Sequence, residues 1–392
     1  MTRFETITVH GARAPAIANR SAAPPIFQSA AYVFDSLGQA EAVFSGKLVG
    51  AQYGTRGAPN VAALETGLRE LEGADDVVVT SGGCSALLCT MLAHLRPDAT
   101  ILTSHDLFGG TSVLLDLLSQ WRIHVQFVDG CDLREVTRAL EQHSAMVLVE
   151  TISNPRMRVP DIAAIAKAAH DVGALVVVDN TLASPFHCTP LALGADLVVE
   201  SLSKSLSGHF DVVMGAVAGR KELTSSVRDF AVRGGMVPGG FEAWLCARGL
   251  SSFAVRQERA SATAADLAAW LGNQNGIRAV HYPGLPCHDD HDVSTRVLRR
   301  GHGSMMAFEL DTSDTATIEA FVQELRVVKL VHSLGGPSTT LSHPLTMTHR
   351  NSSPDTKRRL ALTAGFFRLS VGLEHADDIR IDLERGLKAL CK

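Results

Sequence analysis

From about Ala62 the chain alternates between two apolar patterns. AALETGLRELEG, ALLCTMLAHL, GTSVLLDLLSQW, CDLREVTRALEQH and DIAAIAKAAHDVG carry apolar residues at helical spacing, with polar residues on the opposite face. Between them, DDVVVTS, ATILTS, HVQFVD, AMVLVE, ALVVVDN and ADLVVES are continuous runs rich in β-branched residues. A strand that alternates polar and apolar residues buries one face, whereas a continuous apolar run needs cover on both. The alternation predicts an α/β domain with a mostly parallel sheet between layers of helices. Ligands of such sheets sit at the carboxyl ends of the strands, so chemistry is sought there.

Further on the pattern changes. The stretch from Phe241 to about Trp270 reads as one long helix, or as two with a break near Gly249, leading out of the large domain. RAVHYPG, SMMAFEL, VVKLVHS and RLSVGLE read as strands of a smaller second domain, with helices at TATIEAFVQEL and HADDIRIDLERGLKAL. The beginning of the chain, with PAIANRSAAPP, has few periodic signals and reads as an extended arm that packs on a partner subunit. The expected organisation is an arm over 1–60, a large domain over 61–255 and a C-terminal α/β domain over 256–392.

Composition narrows the function classes. A net charge of −5 with dispersed basic residues points away from nucleic acid, and RVLRR and KRR are short enough to be solvated helix faces. No apolar run reaches the roughly 18 residues of a membrane helix, and the first twenty or so residues lack the apolar core of a secretory leader. Seven scattered cysteines without a CxxC pair fit reduced thiols, and a cytoplasmic location is expected.

Candidate chemistry centres on ESLSKSLSGHFD, where Lys204 stands among small hydroxyl residues just past an apolar strand. Asp179 of VVVDN ends a second strand. TSGGCSALL is a glycine turn that feeds a helix, and amides at a helix N-terminus cradle phosphate. Ser201 and Ser203 flank the lysine and can add hydroxyls, and DLFGGT offers an aromatic face at Phe108. A lysine for a Schiff base, an acid for a pyridinium nitrogen, a ring to stack and a phosphate cradle together describe a site for pyridoxal 5'-phosphate. Partial burial beside a cationic ring would lower the lysine's pKa, as a nucleophile and proton shuttle requires.

The stretch from VVVDNTLASPFHCTPLALGADLVVESLSKSLSGHFD to VVMGAVAG resembles the Cys/Met-metabolism family of pyridoxal-phosphate enzymes. PPIFQSAAYVF, YGTRGAP, LRELEGADDVVVTSGGCSAL, VETISNPRMRVPDIAAIA, HYPGLPCH, HSLGG, SHPLTMTH and FFRLSVGLE follow in family order, so the likeness covers essentially the whole chain. It implies the type I pyridoxal-phosphate fold, aspartate-aminotransferase-like, with Lys204 as Schiff-base lysine and Asp179 on the pyridine nitrogen. It also implies backbone amides of Gly83 and Cys84 on the phosphate with Ser201 and Ser203, and Asn154 near the cofactor's phenolic oxygen. Arg368 would grip the substrate α-carboxylate with Ser333 beside it. Tyr53 matches a tyrosine that reaches the neighbouring subunit's phosphate, which implies a dimer whose sites are completed by the partner, and a dimer of such dimers. The family arginine that follows this tyrosine aligns with Thr55; Arg56, one place on, is the candidate to replace it. The HYPGLPCH loop carries no metal in the family, so CHDDHD, despite His288 and His291, is expected to be a loop and not a zinc site.

Two positions bear on the reaction. The ring-stacking residue is usually tyrosine in the family and is Phe108 here, which removes a proton donor for the departing group. His332 precedes SLGG, where the family selects the substrate side chain; its imidazole either touches a polar substrate tail or sits in a loop without contact. The expected reaction is γ-replacement or γ-elimination on an L-amino acid with a leaving group at Cγ, through a vinylglycine-type intermediate, as in trans-sulfuration. Candidate substrates are an acylhomoserine, a cystathionine-like thioether or the sulfonium S-adenosylmethionine. The alternative is β-elimination of a C–S bond, which YGTRG favours; a non-catalytic paralogue that binds the cofactor is the reading outside enzymes.

Overall fold

The computed structural model describes residues 21–142, 144–352 and 354–390. The beginning of the expected arm, 1–20, lies outside them. Seven strands form the large sheet: β1 (Asp76–Thr80), β2 (Thr100–Ser104), β3 (His124–Val128), β4 (Met146–Glu150), β5 (Leu175–Asp179), β6 (Leu197–Glu200) and β7 (Gly215–Gly219). Their order is β1-β7-β6-β5-β4-β2-β3, and β7 alone runs against the others. The mostly parallel sheet is thus as the pattern predicts.

Cover on both faces is visible along single strands. Val147 and Val149 enter one core while Met146 and Leu148 enter the other, and Val176 and Val178 oppose Val177 in the same way. Helices Pro59–Glu72 and Ile162–Asp171 close the first face; Gly83–His94, Gly109–Leu118 and Lys221–Arg233 close the second.

Strand β7 (GAVAG) and the helix after it were not anticipated. The strand is made of small residues, and the Gly82–Gly83 turn crosses it: a Cβ on Gly215 would collide with the Gly82 carbonyl. The predicted break in the long helix falls between Gly240–Leu250 and Phe253–Leu271. The second of these spans the 255/256 division expected between domains.

The second sheet contains β8 (Ile277–His281), β9 (Met305–Leu310), β10 (Lys329–Leu330), β11 (Thr340–Ser342) and β12 (Phe366–Ser370), in the order β10-β11-β12-β9-β8. The VVKLVHS expectation is corrected: only Lys329 and Leu330 are strand, at the sheet edge, and the chain then leaves to carry Ser333 into a cavity. β12 divides its side chains by alternation. Phe367 and Leu369 face the C-terminal core with Phe308 and Phe321, while Phe366 joins the large domain's core with Met305 and Ala307. Two residues on from Phe366, Arg368 is therefore aimed at the large domain. Among the described residues, no helix is long and apolar enough to cross a membrane.

Candidate active site

Three adjacent parallel strands end in acids: Glu150 on β4, Asp179 on β5 and Glu200 on β6. Glu150 and Asp179 are partners in register. Thr181 ties the loops above them together. Its N–H donates to Asp179 Oδ1 at 3.0 Å, and its Oγ1 accepts from the Ser201 N–H at 2.9 Å. Burial raises the Asp179 carboxyl above its ordinary value, and the Thr181 bonds only partly offset this. A buried acid in that state is stabilised by a cation placed against it.

Glu150 holds the neighbouring loops. Its two carboxylate oxygens accept from Phe108 N–H at 2.7 Å and Asn154 N–H at 2.9 Å. Burial, then the charge of Asp179, pushes its pKa well up.

Lys204 sits in the turn after β6, its N–H bonded to the Ser201 carbonyl. Arg256 secures that turn from beneath, donating to the carbonyls of Ser205 at 2.8 Å, Leu206 at 3.3 Å and Gly249 at 2.9 Å. The Lys204 Nζ donates to Ser333 Oγ at 3.3 Å. Its pKa is lowered, first by burial and then by the positive charge of Arg368. More neutral amine is therefore available for attack or proton transfer.

Ser333 reaches the lysine because its loop lies against the Lys204 turn. Gly335 has φ +75°, and a Cβ there would stand 2.5 Å from Ser205 N. Its N–H donates to Ser370 Oγ on β12 at 2.9 Å. Arg368 is 3 % exposed and donates to Asn154 Oδ1 at 2.9 Å. Burial lowers its pKa to about 10, with Glu150 opposing the shift, so it remains a cation at neutral pH. A guanidinium fork at the edge of a cavity, with no salt bridge among the described residues, is suited to a carboxylate.

These groups surround a cavity of about 380 Å³ that also takes in Gly83, Cys84, Phe108, Ser203 and His332. Helix Gly83–His94 starts at its rim with no side-chain cap, so its first N–H groups have no intrahelical acceptor. A Cβ on Gly83 would lie 3.0 Å from Ser201 Cβ, filling the gap an anion would enter. With the Asp179 acid, the Lys204 amine and the Phe108 ring all lining one cavity, the residues fit pyridoxal phosphate. One detail differs from expectation. Ser203 Oγ already donates to the Met214 carbonyl at 3.2 Å and accepts from its N–H at 3.0 Å, so its hydrogen is committed.

Tyr53 and Arg56 do not line this cavity. Tyr53 is 54 % exposed, and Arg56 pairs with Asp229 at 3.4 Å. His332 is exposed at the cavity wall, and its pKa is lowered by burial of the ring, then by Arg368 and Lys204. In the CHDDHD loop, Asp290 binds Arg158 through both carboxylate oxygens, at 2.6 and 3.0 Å.

Sequence reasoning passed over Glu150, Thr181, Arg256 and His349. Glu150 carried a usable signal, an acid closing an apolar strand as Asp179 does. Thr181 and Arg256 had none, since their role depends on which backbone groups they meet. His349 bonds the Leu107 carbonyl through Nε2 at 3.2 Å and so anchors the Phe108 loop to the C-terminal domain.

Residues 5–388 match the family model described as Cys/Met metabolism PLP-dependent enzyme. The chain is 35% identical to the L-methionine gamma-lyase of Fusobacterium nucleatum subsp. polymorphum, with 94% of each covered. It is 36% identical to the cystathionine gamma-synthase of Escherichia coli K12, again over 94% of both. In structure it is similar to cystathionine gamma synthase from Xanthomonas oryzae pv. oryzae, crystallised with aminoacrylate and cysteine. That match has a TM-score of 0.89 at 36% identity and covers 94% of this chain and 93% of the other.

Proposed function

The chain belongs to the Cys/Met metabolism pyridoxal-phosphate-dependent enzymes, and from that premise we propose that it acts on an L-amino acid whose Cγ leaving group departs without help from a protein acid. The family carries out γ-replacement and γ-elimination with pyridoxal 5'-phosphate. The finer reading rests on one observation: Phe108 stands on the Lys204 cavity with a hydrocarbon ring edge and no hydroxyl. An acylhomoserine, which releases a carboxylate, and S-adenosylmethionine, which releases a neutral thioether, meet that condition. A plain thioether such as cystathionine, which must leave as a thiolate, does not.

Each residue then has a task. Arg368, with Ser333 beside it, holds the substrate carboxylate and so orients the Cα–H bond toward Lys204. The Lys204 amine would remove the α-proton and then a β-proton, the second loss expelling the Cγ group, and would return protons to the carbon chain afterwards. Gly83, Cys84 and Ser201 would hold the phosphate, and Asp179 would keep the ring nitrogen protonated. The bound cofactor supplies an electron sink for the charge left on Cα. A second copy of the chain is expected to bring Tyr53, and Arg56 with it, to the phosphate; this makes the working unit at least a dimer.

The test is turnover of the three amino acids by the wild type and by Phe108→Tyr. The wild type is expected to consume the ester or the sulfonium, giving 2-oxobutanoate or a new γ-substituted amino acid. Restoring the hydroxyl should raise thioether turnover by about 100-fold or more, the lower end of what an acid contributes. Rapid cleavage of cystathionine by the wild type would sink the leaving-group argument. Pyruvate as the product would move the assignment to β-elimination.

A further inference from the structure

Behind Asp179 the protein buries a second pair of acids that no step above uses. Glu72 ends helix Pro59–Glu72 and Glu200 ends β6; each is 2 % exposed. Each carboxyl lies close enough to the other to act on its titration. No N–H or O–H of the described residues donates to either Glu72 oxygen or to Glu200 Oε2, and all three oxygens are buried. The remaining oxygen, Glu200 Oε1, accepts from Asn180 Nδ2 at 3.0 Å.

Asn180 carries the connection to the site. Its amide nitrogen also donates to the Cys188 carbonyl at 3.0 Å, its Oδ1 accepts from Thr151 Oγ1 at 2.8 Å, and its backbone N–H bonds Val199. Glu200, Asn180 and Thr151 thus clamp the ends of β6, β5 and β4 directly beside Ser201, Asp179 and Glu150. The groups facing the two acids are Cys188 and Asp179, both of which add negative charge when ionised, and Arg299 acts on the Cys188 thiol. Glu72 also closes a helix, where the macrodipole disfavours an anion.

Two neighbouring carboxyl groups, out of water and with three of their four oxygens lacking a donor among the described residues, cannot both be ionised. We propose that Glu72 and Glu200 share a proton, and that the shared proton makes them positioning residues holding Asp179 and Ser201 in place for the cofactor. Burial pushes both acids up, and the charge of Glu72 adds to the shift of Glu200. The folded protein therefore keeps a proton that two ordinary carboxyls would have released. Folded protein binding more protons than unfolded means that stability falls as pH rises, until the pair ionises fully.

Glutamine supplies in permanent form the donor that the proton provides. In Glu200→Gln the amide can donate to Glu72 while its oxygen still accepts from Asn180. The experiment is infrared spectroscopy of the apoprotein at about pH 8, together with its thermal unfolding from about pH 7 to about pH 9. Protonated-carboxyl absorption is expected in the wild type and is expected to fall by one group in both Glu200→Gln and Glu72→Gln. Asp106, Glu150 and Asp179, also raised, stay in the background of the difference spectrum. The decline in melting temperature with pH should be shallower in Glu200→Gln than in the wild type. Pyridoxal phosphate should bind that variant as it binds the wild type, whereas Glu200→Leu, which cannot bond Asn180, should bind it at least about tenfold more weakly.

The proposal is overturned if both glutamine variants keep the wild-type absorption and the wild-type pH slope. It is also overturned if Glu200→Gln loses the cofactor as fully as Glu200→Leu. Should one variant not fold, the other still reads the same absorption. Neither the spectrum nor the melting curve needs a substrate, so an error about the reaction would leave both outcomes intact.

Discussion

Asp179 and Arg368 face the same cavity but are held by opposite means. Asp179 closes a central parallel strand, with β4 and β6 on either side and the N–H of Thr181 two residues away on its carboxylate. Its position is set by local backbone geometry. Arg368 lies within an antiparallel strand whose alternate residues, Phe367 and Leu369, are buried in the other domain's core. It arrives from afar, placed by how one sheet packs on the other. The proposed cofactor half of the site is built into the large domain, while the proposed substrate half depends on docking.

That contrast sets the order of expected effects. Lys204→Ala removes the group on which both halves converge, and should lower turnover by about 10,000-fold, near the upper end for proton-transfer groups, with little change in melting temperature. An absorbance titration with pyridoxal phosphate would show binding without the covalent band. Phe367→Ala, on the docking side, should cost about 3–5 kcal/mol in a denaturation experiment, because its ring stacks on Phe308 at 5.8 Å and tilts against Phe321 at 5.6 Å. If the halves are separable, substrate KM rises in this variant while cofactor affinity holds.

The seam between the halves should be acid-sensitive. His349, which is 1 % exposed, has its pKa lowered to about 4, chiefly by burial. A histidine that resists protonation only when folded stabilises the protein above its ordinary value near 6.5. That contribution is lost as pH falls from there toward 4, up to about 3 kcal/mol for this residue. His349→Gln should flatten this limb in a pH series of melting curves. Arg368→Lys should have the smallest effect: about 1.5–3 kcal/mol in kcat/KM from losing the two-pronged grip, with the cofactor spectrum unchanged. A change in that spectrum would mean the halves are not independent.

The same division governs what could be read in advance. Asp179, Lys204 and the Gly82–Gly83 turn were legible because strand, loop and helix follow one another and their carboxyl ends are known from polarity alone. β7 was not, since GAVAG lacks the bulky residues that mark a strand, and its small size answers to a turn crossing it from elsewhere. β11 (Thr340–Ser342) escaped for a related reason: three residues are too few for a period to show. Arg368 was recognised through likeness to a family, and its reach to Asn154 is a tertiary fact.

Hydrophobic spacing by itself determined that there would be a doubly covered parallel sheet, where its carboxyl edge lies, and that a lysine and an acid stand on that edge. These are consequences of periods of 2 and 3.6 residues, which act over a few neighbours. Tertiary structure decided which acids are alone and which are paired. Glu150, Asp179 and Glu200 are alike in sequence, each an acid after an apolar run. The local chain supplies the N–H of Thr181 to Asp179 and of Asn154 to Glu150, but only packing brings the Phe108 N–H to Glu150 and a second buried acid to Glu200, because desolvation depends on what the rest of the chain brings to each strand end.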